Sequence, residues 1–143
     1  MESGMDNIYH TINKLAVKRG RYSPEAYYFT LEALNTTVGF LSVRRHLSGP
    51  ELLQGIVSLA RQRYESEAMS ILDGWGISAT VDFGNIVEDL VEIGVLSKTD
   101  DERLEDFEDV FDLNEAISEE GWRQQWRIRD TGHLTGPVED LLV

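Results

Sequence analysis

The chain reads as a mainly α fold with a small β component, a helical bundle with a winged-helix-like unit and a short β-hairpin wing. Two patterns and one bound carry that expectation. Successive segments place apolar residues at the three-and-four spacing of a helix face, separated by recognisable start and stop residues. Residues 71–113 run helix, turn, helix and then two strand-like stretches, the order of a winged-helix-like unit. At 143 residues, with no apolar stretch near 18 residues, the chain is long enough for one self-supporting core and too polar to span a bilayer. Residues 1–128 are therefore expected to form one compact domain, with the winged-helix-like unit at about 48–113 and an irregular tail at 129–143.

In order, residues 6–18 put Ile8, Ile12, Leu15 and Ala16 on one side, with Lys14, Lys18 and Arg19 late, where cations complement a helix C-terminus. Gly20 is the stop. Ser23 before Pro24 is a start signal, and the stripe Tyr27, Leu31, Leu34, Val38, Leu41 carries that helix to about residue 38. Arg44, Arg45 and His46 make a basic turn, read first as cations meeting terminal carbonyls or nearby carboxylates and second as a phosphate-contacting patch. Ser48 and Glu51 have the spacing of a capping box, in which hydroxyl and carboxylate bond each other's backbone N–H groups. The helix they open, with Leu52, Leu53, Ile56, Val57, Ala60 and Tyr64, should be among the most buried.

Ser66 is the expected cap of a short helix ending at Gly74, after which Trp75 plugs the core and Ile77 forms a first short strand. Thr80 or Asp82 caps the next helix, whose apolar face is Phe83, Ile86, Val87, Leu90 and Val91 and whose other face carries Asn85, Glu88, Asp89 and Glu92. Gly94 suits its C′ position. The hairpin wing would pair residues 96–98 with 107–113, where Val110 and Phe111 supply strand-forming bulk. A last helix opens at Leu113 and runs to about residue 127, bringing Trp122, Arg123, Trp126 and Arg127 onto one side.

The net charge of −13 is local. Fifteen carboxylates lie between residues 82 and 120 against Lys98 and Arg103, while the rest of the chain balances at eleven of each sign. This distribution describes a neutral body with one acidic face. That face, with Asp100, Asp101, Glu102, Glu105 and Asp106 on the wing, opposes phosphate where a DNA-reading wing would offer lysine or arginine. With no cysteine there is no disulfide, thiolate metal site or thiol nucleophile, and the cytoplasm is the natural compartment.

The runs RHLSGPELLQG at 45–55, ILDGWGI at 71–77 and DFGNIVEDLVEIGVLSKTDDERLEDFEDVFDL at 82–113 resemble a small bacterial family of planctomycetes and their relatives. The resemblance covers about two thirds of the chain and implies a shared fold. The family has no assigned function, so no catalytic residue carries over. An aromatic often stands there at the position of Glu88, which makes this helix face the more acidic one.

Chemistry-bearing motifs do not emerge. His10, His46 and His133 are far apart without metal-ligand spacing, the acidic stretch lacks an EF-hand loop, and neither a phosphate loop nor a nucleophile elbow is present. No cofactor, metal or catalytic residue is expected. These observations favour a soluble, non-catalytic protein–protein interaction module that meets a basic partner through Asp100, Asp101, Glu102, Glu105 and Asp106 or through Trp122, Arg123, Trp126 and Arg127. The alternative is a nucleic-acid or transcription-associated protein using Lys14, Lys18, Arg44 and Arg45, with Arg19 and Arg21 beside them. A third is a small-molecule or enzymatic helical domain with a pocket near Trp75.

Overall fold

The computed structural model describes residues 4–42, 45–97 and 104–118. They form six α-helices: α1 Gly4–Arg19, α2 Pro24–Gly39, α3 Gly49–Tyr64, α4 Ala68–Gly74, α5 Thr80–Glu92 and α6 Leu113–Ile117. Two short 3₁₀ turns, Glu65–Glu67 and Leu104–Phe107, join them. The protein is mainly helical, as its periodicity predicts, and none of the described helices is long and apolar enough to cross a membrane.

Local chemistry explains the helix boundaries. Ser48 accepts the Glu51 N–H at 3.2 Å while the Glu51 carboxylate accepts the Ser48 N–H at 2.8 Å, so the capping box forms and α3 starts where expected. Gly94 takes φ +81°, and the Gly94 and Val95 N–H groups return to the Val91 and Leu90 carbonyls at 3.0 and 2.9 Å. Those two bonds make a Schellman ending, which needs the left-handed residue glycine supplies. α3 is the centre of the core: Leu53, Ile56, Val57 and Ala60 are fully buried, between α2 on one side and α4, α5 and α6 on others. α1 closes over α2 through Ile12, Leu15 and Ala16, and α5 inserts Phe83, Ile86 and Leu90.

Three starts differ from expectation. Ser23 has extended N-cap dihedrals, but its hydroxyl makes no cap bond; its N–H donates to the Trp75 carbonyl at 3.1 Å, tying the α1–α2 turn to the end of α4. Ser66 lies inside the 3₁₀ turn rather than capping α4. The Thr80 hydroxyl donates to the Phe107 carbonyl at 2.6 Å instead of capping its own helix. Trp75 is half-buried at the C-cap of α4, its ring 5.4 Å from Phe29 and 6.0 Å from Tyr64, so it closes the core from the edge.

The β component is corrected. Among the described residues there is no strand, and the stretch assigned to the second wing strand is instead the Leu104–Phe107 turn, two further turn residues and the start of α6. Its spacing gives the reason: Phe107, Val110 and Leu113 recur every third residue, which suits 3₁₀ and turn geometry, whereas a strand needs a period of two. Ile77 is buried but not extended into a sheet; its N–H bonds the Leu72 carbonyl at 3.0 Å. The wing tip, the continuation of the last helix past residue 118 and the expected tail fall outside the described residues.

Candidate functional site

Two surfaces meet on α5, and its carboxylates sort between them. Asp82, Asn85, Asp89 and Glu92 recur at three-and-four spacing and share one stripe. That stripe faces the end of α1 and the start of α2. Asp82 accepts the Tyr22 hydroxyl at 2.6 Å and the N–H groups of Ser78 and Ala79 at 2.8 and 3.0 Å, and Asn85 donates to the Tyr22 oxygen at 3.0 Å. One turn on, Asp89 accepts the Tyr27 hydroxyl at 2.8 Å and pairs with Arg19 at 3.2 Å, and the same guanidinium reaches Glu92.

The electrostatics of this seam suit a framework. Burial alone would raise the Asp82 carboxyl, but the hydrogen bonds from Tyr22, Ser78 and Ala79 hold it below the ordinary aspartate value. Burial, joined by the hydrogen bond to Asp82, pushes Tyr22 up to about 12; Tyr27 rises for the same two reasons, with Asp89 as its partner. Asp82 stays ionised and Tyr22 and Tyr27 stay neutral, so these three act as fixed donors and acceptors near neutral pH.

The second surface is built by the 3₁₀ segment Leu104–Phe107 and the turn that leads from it into α6. The 3₁₀ segment packs on α5 and on α3, with Phe107 buried and the Asp106 backbone against Gly49 at the first turn of α3. A carboxylate-rich segment thus lies beside the amino-terminal ends of two helices. Glu105, Glu108, Asp109 and Glu115 point into solvent. The cations of the described ion pairs lie elsewhere: Arg19 serves Asp89 and Glu92, Arg45 grips Glu51 through two bonds of 2.9 and 2.8 Å, and Arg63 holds Glu32.

Between the two lies an open groove of about 430 Å³. Leu34 and Val38 of α2, Val87 of α5, Val95 and Leu96 beyond it, and Phe107 form its apolar floor, with Arg45 and His46 at one rim.

Of the residues singled out from sequence, Glu105 and Asp106 lie on the 3₁₀ segment, while Asp100, Asp101, Glu102, Trp122, Arg123, Trp126 and Arg127 fall outside the described residues. Lys14 and Lys18 are exposed on α1. Arg44 lies outside the described residues, and Arg45 is committed to the Glu51 carboxylate, the first of the two readings of the basic turn. Burial would raise Glu51, yet the Arg45 and Ser48 hydrogen bonds keep it below the usual glutamate value. Sequence reasoning placed Asn85, Glu88, Asp89 and Glu92 outward and read Asp82 as a possible cap; Asp82 does bond the Ala79 N–H at the start of α5, but that Asp82 and Asp89 also turn inward to tyrosines was missed. The signal available was their seven-residue spacing, but their tyrosine partners stand 60 and 62 positions away in the chain. The groove was also missed, since its floor is assembled from four separate stretches of chain.

No family model, no curated protein and no solved structure matches this chain. The expectation of a fold shared with a planctomycete family therefore rests on the sequence runs alone.

Proposed function

We propose that the chain is a non-catalytic interaction module that docks a basic protein partner on the acidic face built by residues 105–115. The observation that carries this reading is the unequal treatment of charge. Asp82, Asp89, Glu92, Glu51 and Glu32 each have a fixed internal partner, whereas Glu105, Glu108 and Asp109 are exposed and, among the described residues, meet no cation. Exposed like charges held close together on one short segment repel one another, a cost a cationic partner relieves. Asp82 and Glu51 held ionised and Tyr22 and Tyr27 held neutral suit a scaffold more than a proton-transfer site.

The nucleic-acid alternative keeps Lys14, Lys18 and Arg21, but Arg19 and Arg45 are already engaged with carboxylates, and the second wing strand that a winged-helix reader would use is not formed. Too few uncommitted cations remain among the described residues to neutralise several phosphates.

The test compares the wild-type chain with a variant in which Asp100, Asp101, Glu105 and Asp106 are serine. Both are used to capture partners from the native host, and association with a partner so identified is measured at several salt concentrations. The variant should melt at or slightly above the wild-type temperature, associate about tenfold more slowly at low salt and show a flatter salt dependence. An unaltered on-rate at low salt rules this face out. Salt-sensitive retention of the wild type on heparin would favour the nucleic-acid alternative instead.

A further inference from the structure

We propose that the groove between α2, α5 and the 3₁₀ segment is the apolar half of this docking surface, and that it receives an amphipathic helix of the partner bearing lysine or arginine along one edge. The inference rests on the reading of the acidic face given above and names what lies beside it. Leu34, Val87, Val95 and Leu96 pack on the core with one side only, and their other side lines an opening whose volume falls within the roughly 300–1,000 Å³ of ordinary ligand sites. Among the described residues no buried polar side chain lines it to orient a small polar molecule, so its chemistry is that of a surface for aliphatic side chains.

The edge of the groove selects the occupant. Phe107 forms one wall, and the exposed Glu105 and Glu108 lie within two residues of it in the chain, so carboxylates stand near that end of the apolar lining. At the opposite rim the Arg45 guanidinium is held on both its outer nitrogens by Glu51, which offsets the one arginine or lysine among the described lining residues. A helix laid in the groove would seat side chains at i, i+3, i+4 and i+7 on the floor while cations on its flank meet Glu105 and Glu108. A second copy of this chain is a poorer match, since it brings the same acidic edge and a charge of −13 of its own.

The test uses the full chain and two synthetic probes, a leucine–lysine amphipathic helix and a serine–lysine peptide of equal length and charge. The leucine–lysine helix should bind about tenfold tighter, or about 1.4 kcal/mol. Its methyl chemical-shift changes in the wild-type protein should centre on Leu34, Val87 and Val95. Leu34→Gln and Val87→Gln should each remove the advantage while leaving the serine–lysine peptide bound as before, and the wild-type shift map stands if either variant folds poorly. Equal affinity for the two peptides, or shifts centred on the exposed Ile8, Tyr9 and Val17 of α1, overturns the groove and leaves the acidic face standing. Binding of neither peptide overturns both. A concentration-dependent dimer with the same groove shifts and no peptide present would assign the groove to a second copy, against the inference.

Discussion

Alanine at Asp82 lowers the unfolding free energy by about 3 kcal/mol, the sum of a lost helix-start interaction worth about 1 kcal/mol and an unpartnered buried hydroxyl worth about 1–3 kcal/mol. The carboxylate accepts from the Tyr22 hydroxyl, the Ser78 and Ala79 N–H groups and, at 3.4 Å, the Ser78 hydroxyl, and the most protected of these is the Tyr22 hydroxyl, on a residue only 4% exposed. Water can replace Asp82 at the exposed Ser78 and Ala79 N–H groups more readily than at Tyr22. The pH dependence should change with it. Asp82 has a lowered pKa in the folded chain, so its stabilisation is present above the unfolded value of about 3.9 and is lost as pH falls through the folded value. Tyr22 has a raised pKa, so its contribution is present below about 10 and is lost as pH climbs towards 12. Urea titrations across pH should find both limbs shallower in Asp82→Ala. Limbs of unchanged slope would mean that this pair does not tie α5 to the α1–α2 turn.

Alanine at Gly55 should cost about 2 kcal/mol even though alanine is the better helix former by about 1 kcal/mol. Here α3 crosses α2 so closely that a Cβ at residue 55 would run into the Thr37 Oγ1 and stand 3.1 Å from its Cβ. Thr37 is buried and branched, so it has little room to turn away. Thr37→Ala removes the nearer atom, and Gly55→Ala with Thr37→Ala should recover more than half of the loss, a coupling that denaturation of the four proteins in the cycle reads directly. Additive costs would place the two helices farther apart than described.

What was legible in the sequence was what neighbouring residues decide among themselves. Ser48 and Glu51 cap α3 across three positions, Gly94 ends α5, and the apolar stripe of α5 returns as Phe83, Ile86 and Leu90 in the core. What was not legible depended on remote partners. Ser23 has the residue type and dihedrals of a cap yet bonds Trp75 with its backbone, and the Thr80 hydroxyl crosses to Phe107. Asp89 looks like a surface carboxylate until Tyr27 and Arg19 are placed against it. Strand propensity of Val110 and Phe111 misled for a related reason: a segment packed across the ends of two helices finds its partners in Thr80 and α3, with no neighbouring strand described to complete a ladder. The acidic stretch was legible as composition, and the apolar groove that Phe107 lines was not.

The described carboxylates divide: Asp82, Asp89 and Glu51 turn inward and hold the fold, whereas Glu105, Glu108 and Asp109 are exposed, and the docking proposal rests on that division. The most direct measurement is the urea unfolding free energy of Glu105→Gln/Glu108→Gln/Asp109→Asn against wild type, at low and at high salt. The division predicts a variant within about 0.5 kcal/mol of wild type at high salt and somewhat more stable at low salt, as relief of exposed repulsion requires. Asparagine at residue 109 keeps a side chain that tolerates its φ of +45°, so backbone strain does not confound the comparison. A loss of more than about 1 kcal/mol at either salt would show that these carboxylates hold the fold themselves, and would remove the ground for reading the face as a docking surface.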